Sequence, residues 1–116
     1  MTIQQIVVLM ILGHMVADYT LQGWLANAKQ SKWWQDNAPL PLYRFDYLAG
    51  LACHALYWSA IVCLPFFNHR FFLAAVILNA VIHAIIDHVK ANMKAINLVE
   101  DQLLHLAQMA VTVICM

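Results

Sequence analysis

The sequence predicts an all-α fold: an integral membrane bundle of four transmembrane helices, with an interfacial loop after the first helix. Apolar residues make up 64% of the 116-residue chain and charged residues 10%, whereas soluble domains carry roughly 45–50% and about 25%. The mean hydropathy is +0.70, and this much apolar surface exceeds what one small core can hide. Four stretches each approach the ~20 mostly apolar residues that a spanning helix requires. With only three Gly and three Pro, the chain is neither disordered nor collagen-like.

The first span runs from Ile3 to Leu25. Its start, MTIQQIVVLMIL, has no basic region and no small-residue cleavage site, so it reads as a retained helix and not a signal peptide. Asn27 to Asp46 is the only long polar stretch. Trp33, Trp34 and Tyr43 are rings suited to headgroup depth, and Pro39 and Pro41 break any helix. A short interfacial helix followed by an extended return is expected there. The second span is Tyr47 to Phe67, the third Phe71 to Val89, and the fourth about Leu98 to Met116. The uninterrupted apolar part of the fourth begins only at Leu103, so three spans plus one interfacial helix is the alternative. The tight loop PFFNHR and the short loop KANMKAIN force antiparallel neighbours, an up-down bundle. Residues 1–116 form one domain, with no repeat of 20–50 residues.

Six Lys and Arg balance six Asp and Glu. Without a basic run, nucleic acid is excluded as a partner, and membrane lipid is the expected one. Lys29, Lys32, Arg44, Lys90 and Lys94 fall in the first and third loops, with only Arg70 on the opposite side. The positive-inside tendency then puts those two loops in the cytoplasm and both termini outward. Lys29, Lys32 and Arg44 read as topology determinants or as attractors of anionic headgroups, and Asp46 with Arg44 as interface anchors. Cys53, Cys63 and Cys115 form no C-x2-C pair and are expected to be small buried hydrophobes.

Ionisable side chains are expensive in a bilayer and are functional candidates by default. Seven lie in or at the edge of the spans: His14, Asp18, His54, His83, Asp87, Asp101 and His105. His14/Asp18, His83/Asp87 and Asp101/His105 are i, i+4 pairs, each sharing one helix face. The third pair is reversed in sequence. In an alternating topology this makes every His deeper than its Asp by about 6 Å, a His layer above an Asp layer. Facing imidazoles and carboxylates are ordinary ligands for a divalent metal, zinc first and manganese or iron next. Seven candidates suit two ions, or one ion plus a general base. A metal-free hydrogen-bonded or proton-relay network is the alternative. Gln102, Asn79 and Gln22 can complete the network, or serve as interhelical and interfacial polar residues. His69 and His88 read as loop and surface residues outside the site.

The pattern GHMVADYTLQ, CHALY, IHAIID and EDQLLHLAQ resembles an uncharacterised family of small prokaryotic and phage multi-pass membrane proteins. The resemblance covers about residues 6–110 and carries over to His14, Asp18, Gln22, His54, His83, Asp87, Asp101, Gln102 and His105. It implies a four-helix protein of the prokaryotic inner membrane and brings no reaction with it. A weaker similarity, of motif style alone, is to membrane-bound metal-dependent hydrolases.

The function expected is that of a metal-dependent hydrolase acting on a lipid or lipid-linked phosphate ester at the cytoplasmic leaflet, with Asp18, Asp87 or Asp101 orienting water or acting as base. One alternative is a metal- or proton-transfer component of a homo-oligomeric carrier. Another is a non-catalytic structural or partner-binding membrane protein. The outer halves (Ile6 to Leu12, Ala60 to Phe67, Phe71 to Ile77, Met109 to Cys115) look almost wholly apolar, which argues against a path through one chain. Ser59 lies more than one turn from His54, so a serine nucleophile is not expected.

Overall fold

The computed structural model describes residues 1–116, all-helical and without strands. Helix α1, Ile3–Met15, starts at a capping box in which Thr2 Oγ1 accepts from the Gln5 amide and Gln5 Oε1 accepts from the Thr2 amide. It continues as a π-helical segment, Val16–Thr20. Two short helices follow, α2 (Leu25–Ala28) and α3 (Ser31–Asn37), and then a 3-10 turn at Pro41–Tyr43. Helix α4 covers Asp46–Cys63, α5 Phe72–Ala91 and α6 Leu98–Cys115. A second capping box, Asn97 with Glu100, starts α6.

Four helices are long and apolar enough to cross a membrane, over Ile3–Thr20, Pro41–Phe66, Phe72–Ala91 and Leu98–Cys115. The fourth is a single helix of full spanning length. The first ends five residues earlier than the sequence suggests. The π segment and a turn through Gly23, whose φ is +49°, divert residues 21–25 into the interfacial segment. That segment folds as two short helices and a 3-10 turn, not as one helix with an extended return. Its rings interlock: Trp24, Trp33 and Trp34 meet edge to face at 5.1–6.0 Å between centroids, and Trp34 stacks on Tyr43 at 6.3 Å.

Burial is inverted relative to a soluble bundle. Of 23 buried residues, eleven are polar or charged, while large apolar side chains cover the outside, as a bilayer solvent requires. The small apolar core is Met10, Ala17, Trp58, Val62 and Met109. Cys63 is buried as expected, but Cys53 and Cys115 face outward. On a helix whose surround is hydrocarbon, a small apolar thiol gains nothing further by burial.

Interhelical polar bonds stitch α5 to α6. Asn79 Nδ2 donates to Thr112 Oγ1 (3.0 Å), and Gln108 Nε2 donates to Asn79 O and Oδ1 (2.8 and 2.9 Å). Asn79 therefore joins this ladder and not the His/Asp cluster. With Ser59, Gln108 and Thr112 also buried, the bundle interior beyond the cluster is more polar than the sequence suggests.

The interfacial segment is clamped across one end of the bundle. Asn92, just past α5, donates to Lys29 O (2.9 Å) and accepts from the Ser31 amide (2.6 Å). Trp34 Nε1 donates to Ala28 O (2.8 Å). Gly50 on α4 allows this closure, because a Cβ there would lie 2.5 Å from Ala28 O. Gly50→Ala should lower the thermal midpoint in detergent despite its better helix propensity, since a backbone clash costing about 1–3 kcal/mol outweighs a gain of about 0.5–1 kcal/mol. Faster proteolysis within residues 21–45 is the accompanying readout.

Candidate metal centre

The i, i+4 spacing does what helix geometry requires: it turns one His and one Asp from each of α1, α5 and α6 inward, and α4 adds His54. All seven candidates meet in one contact network. His54, His83 and His105 are fully buried, and Asp101, Asp87 and His14 nearly so. Asp18 lies within the π segment, where the Leu21 amide reaches back to Val16 O (2.8 Å). Such widened turns occur often at functional sites.

Asp87 is shared by three helices. Its Oδ2 lies 3.4 Å from both His54 Nε2 and His83 Nε2, and its Oδ1 lies 3.5 Å from His105 Nε2. Asp18 Oδ1 lies 3.1 Å from His54 Nε2 and 3.8 Å from His83 Nε2. Asp101 Oδ1 is 3.3 Å from His105 Nε2. Two triads have donor atoms close enough to share an ion: Asp18, His54 and His83, and His83, Asp87 and His105. Zinc bound tetrahedrally at about 2.0–2.1 Å has ligand atoms about 3.3–3.4 Å apart, and most of these separations fall around that value.

Hydrogen-bond accounting sharpens the picture. Both nitrogens of His83 and His105, and Asp101 Oδ1, are buried without a hydrogen-bond partner. Leaving such a group unsatisfied costs about 1–3 kcal/mol, so a cluster of them calls for a missing partner. His54, by contrast, has partners on both ring nitrogens. Tyr57 Oη donates to Ala17 O (3.0 Å) and so accepts from His54 Nδ1 (2.8 Å). Nδ1 then carries a proton, and Nε2 is hydrogen-bonded to Asp18 Oδ1 at 3.1 Å with Asp87 Oδ2 at 3.4 Å. Imidazoles that bind metals are held in this way, with the distal N–H fixed by an outer partner.

His14 differs. Trp58 Nε1, which can only donate, gives its proton to His14 Nδ1 (3.0 Å). His14 Nε2 therefore donates to Gln102 Oε1 (2.8 Å), and Gln102 Nε2 donates to Asp101 Oδ2 (3.0 Å). Although His14 Nδ1 lies 3.5 Å from Asp18 Oδ2, both ring nitrogens of His14 are held by hydrogen bonds within the chain.

Lys29 is the main departure from expectation. Its side chain is not free to attract headgroups. It is buried, with Nζ 3.0 Å from Asp87 Oδ2, and it also donates to Gln22 Oε1. Gln22 in turn donates to Asp18 O (3.1 Å). Lys90 Nζ reaches Asp101 Oδ2 at 3.3 Å. With neutral imidazoles, three carboxylates against two ammonium groups leave one negative charge, which a protonated imidazole or a bound cation would balance.

Two aromatic residues complete the site without having been singled out by sequence. Trp58, itself part of the apolar core, stacks on His83 (4.1 Å, 22°). Tyr57 fixes His54. Both follow His54 within one turn, the one signal available, but an aromatic one turn from a His is ordinary helix composition. His88 stays outside, stacked on Tyr47 at 6.1 Å, and His69 stays in the tight turn, donating nothing to the cluster.

The profile of the family described as Protein of unknown function (DUF3307) matches residues 6–116. The chain belongs to this family. No curated protein and no solved structure matches it.

Trp58→Phe keeps an aromatic ring beside His83 and removes only the N–H. It should cost about 1–3 kcal/mol by leaving His14 Nδ1 unpartnered. A lowered unfolding midpoint, with His14→Ala adding less in the Trp58→Phe background than alone, is the expected double-mutant result.

Proposed function

We propose that this chain is a membrane-embedded metal-binding protein that hydrolyses a lipid or lipid-linked phosphate ester at the leaflet on the side of the interfacial segment. By the distribution of basic residues this is the cytoplasmic leaflet of a prokaryotic inner membrane. The observation that carries the reading is the pair of buried imidazoles, His83 and His105, whose nitrogens have no hydrogen-bond partner while their Nε2 atoms face carboxylate oxygens at 3.3–3.8 Å.

In this reading His54, His83 and His105, with Asp18 and Asp87, hold a divalent ion, zinc first and manganese or iron next. Such an ion supplies Lewis acidity and a water of lowered pKa. Asp101 is the best-suited proton acceptor, because its Oδ1 is unpartnered while Gln102 and Lys90 hold Oδ2. Asp87 is too heavily shared to be the base. Lys29 Nζ, at the end of the cluster covered by the interfacial segment, is suited to face phosphoryl oxygens. Trp58 excludes water from the opposite side.

A second reading, a metal- or proton-transfer component of a homo-oligomer, draws support from one observation. Buried polar side chains (Ser59, Asn79, Gln108, Thr112) continue past Trp58, so the apolar outer half no longer argues against a path. Purified without a His-tag, the protein should carry near-stoichiometric metal by elemental mass spectrometry. His83→Ala should lose it, and Tyr57→Phe should bind it about 10–100-fold more weakly. Lys29→Met should keep the metal and lose about 100-fold in turnover of a lipid phosphate ester, the scale of a lost oxyanion donor. Metal without turnover, together with ion flux in proteoliposomes, would favour the transfer reading. No metal after reloading would overturn both metal readings.

A further inference from the structure

Apart from the His/Asp cluster, the interfacial segment encloses a cavity of about 570 Å³ between α3 and the start of α4. Ser31, Trp34, Tyr43, Arg44 and Tyr47 contribute its polar and aromatic lining. Three basic residues lie on this segment, and two are committed. Lys29 is buried against Asp87 and Gln22. Lys32 is ion-paired with Asp36 at 2.9 Å. Arg44 alone has no carboxylate within ion-pair distance, Asp46 two positions on included. Its guanidinium rests on the Phe45 ring at 5.1 Å with all its N–H donors unused. The hydroxyls of Tyr43 and Tyr47, on the same cavity, also make no hydrogen bond within the chain.

We propose that this cavity is a binding site for the headgroup of an anionic phospholipid, with the phosphate on Arg44. Trp34 and Tyr43 stack at its wall, and such rings sit at the headgroup level of a bilayer. Arg44 lies two positions before helix α4 and in the first turn of the Pro41–Phe66 span, the depth at which lipid phosphates lie. A guanidinium offers a planar fork of donors matched to phosphate oxygens. An anionic headgroup suits the site better than a zwitterionic one, whose ammonium would be brought against the same guanidinium. This site does not rest on the metal reading, since none of its lining residues belongs to the His/Asp network.

The test uses the whole chain in detergent micelles, titrated with phosphatidylglycerol or phosphatidylcholine and read by native mass spectrometry. One phosphatidylglycerol per chain is expected to be retained in preference to phosphatidylcholine. Arg44→Gln should weaken retention about five-fold, the worth of one headgroup-level charge, and Arg44→Lys should weaken it less. Lys32→Gln removes the same charge from the same segment and should leave retention unchanged. Equal retention of the two lipids, or an equal effect of Lys32→Gln and Arg44→Gln, would overturn the site in favour of diffuse charge attraction. Displacement by millimolar inorganic phosphate would overturn the assignment to a lipid. Repeating the titration with chelator keeps the outcomes separate: retention should not change, whatever the metal content proves to be.

Discussion

A carboxylate inside a bilayer must be compensated from within the protein, and Asp87 is where most of that compensation converges. Its two oxygens meet His54 from α4, His83 from its own helix, His105 from α6 and the Lys29 ammonium from the interfacial segment. Helix α1 joins through Asp18, which meets His54 and His83. Apolar contact between helices provides little driving force in lipid, because hydrocarbon tails are as apolar as leucine. The polar interior therefore orients the helices as well as forming the site. The inverted burial follows from the same constraint.

The arrangement also accounts for the interfacial segment. Lys29 could not reach Asp87 from an extended loop at headgroup depth. Two short helices, the Asn92 clamp on Lys29 and Ser31, and the close approach of Ala28 to Gly50 bring it in. The same fold leaves Trp24, Trp33, Trp34 and Tyr43 clustered. One short segment thus carries a cation into the bundle and a set of amphipathic rings suited to the interface.

Much of this was legible in the sequence because hydrophobic length and i, i+4 spacing are local signals. The four spans, the tight turns and the convergence of His14, Asp18, His54, His83, Asp87, Asp101 and His105 follow from them. What was not legible depends on backbone irregularity or long-range closure. The π segment at Val16–Thr20 ends the first span early, and no residue type announces it. The burial of Lys29 depends on a partner 58 positions away. A lysine in a polar loop reads as a topology determinant or headgroup attractor, and nothing local in the sequence announces its contact with Asp87. Asn79 was legible as a polar residue one turn from His83. Only the approach of α6 shows that its amide spends its bonds on Gln108 and Thr112 and not on the cluster.

The separation of roles among the imidazoles follows from donor and acceptor chemistry more than from distance. His14 is as close to an aspartate as several of the others, yet an indole can only donate, and that fact fixes every proton along the path from Trp58 to Asp101. His54 is fixed in the opposite sense, because the Tyr57 hydroxyl has one proton and Ala17 O takes it. The consequence is a ring whose Nε2 meets Asp18 Oδ1 at 3.1 Å, beside two rings, His83 and His105, with no hydrogen-bond partner. Repacking alone would relieve only part of that condition, since a neutral imidazole has one N–H to donate to a carboxylate and its other nitrogen stays a bare acceptor. A proton or a metal ion would relieve it. One proton serves one nitrogen–oxygen pair, whereas an ion is shared among several acceptors at once. In the reading proposed above, the convergence of three imidazoles and two carboxylates on one small volume is the argument for an ion.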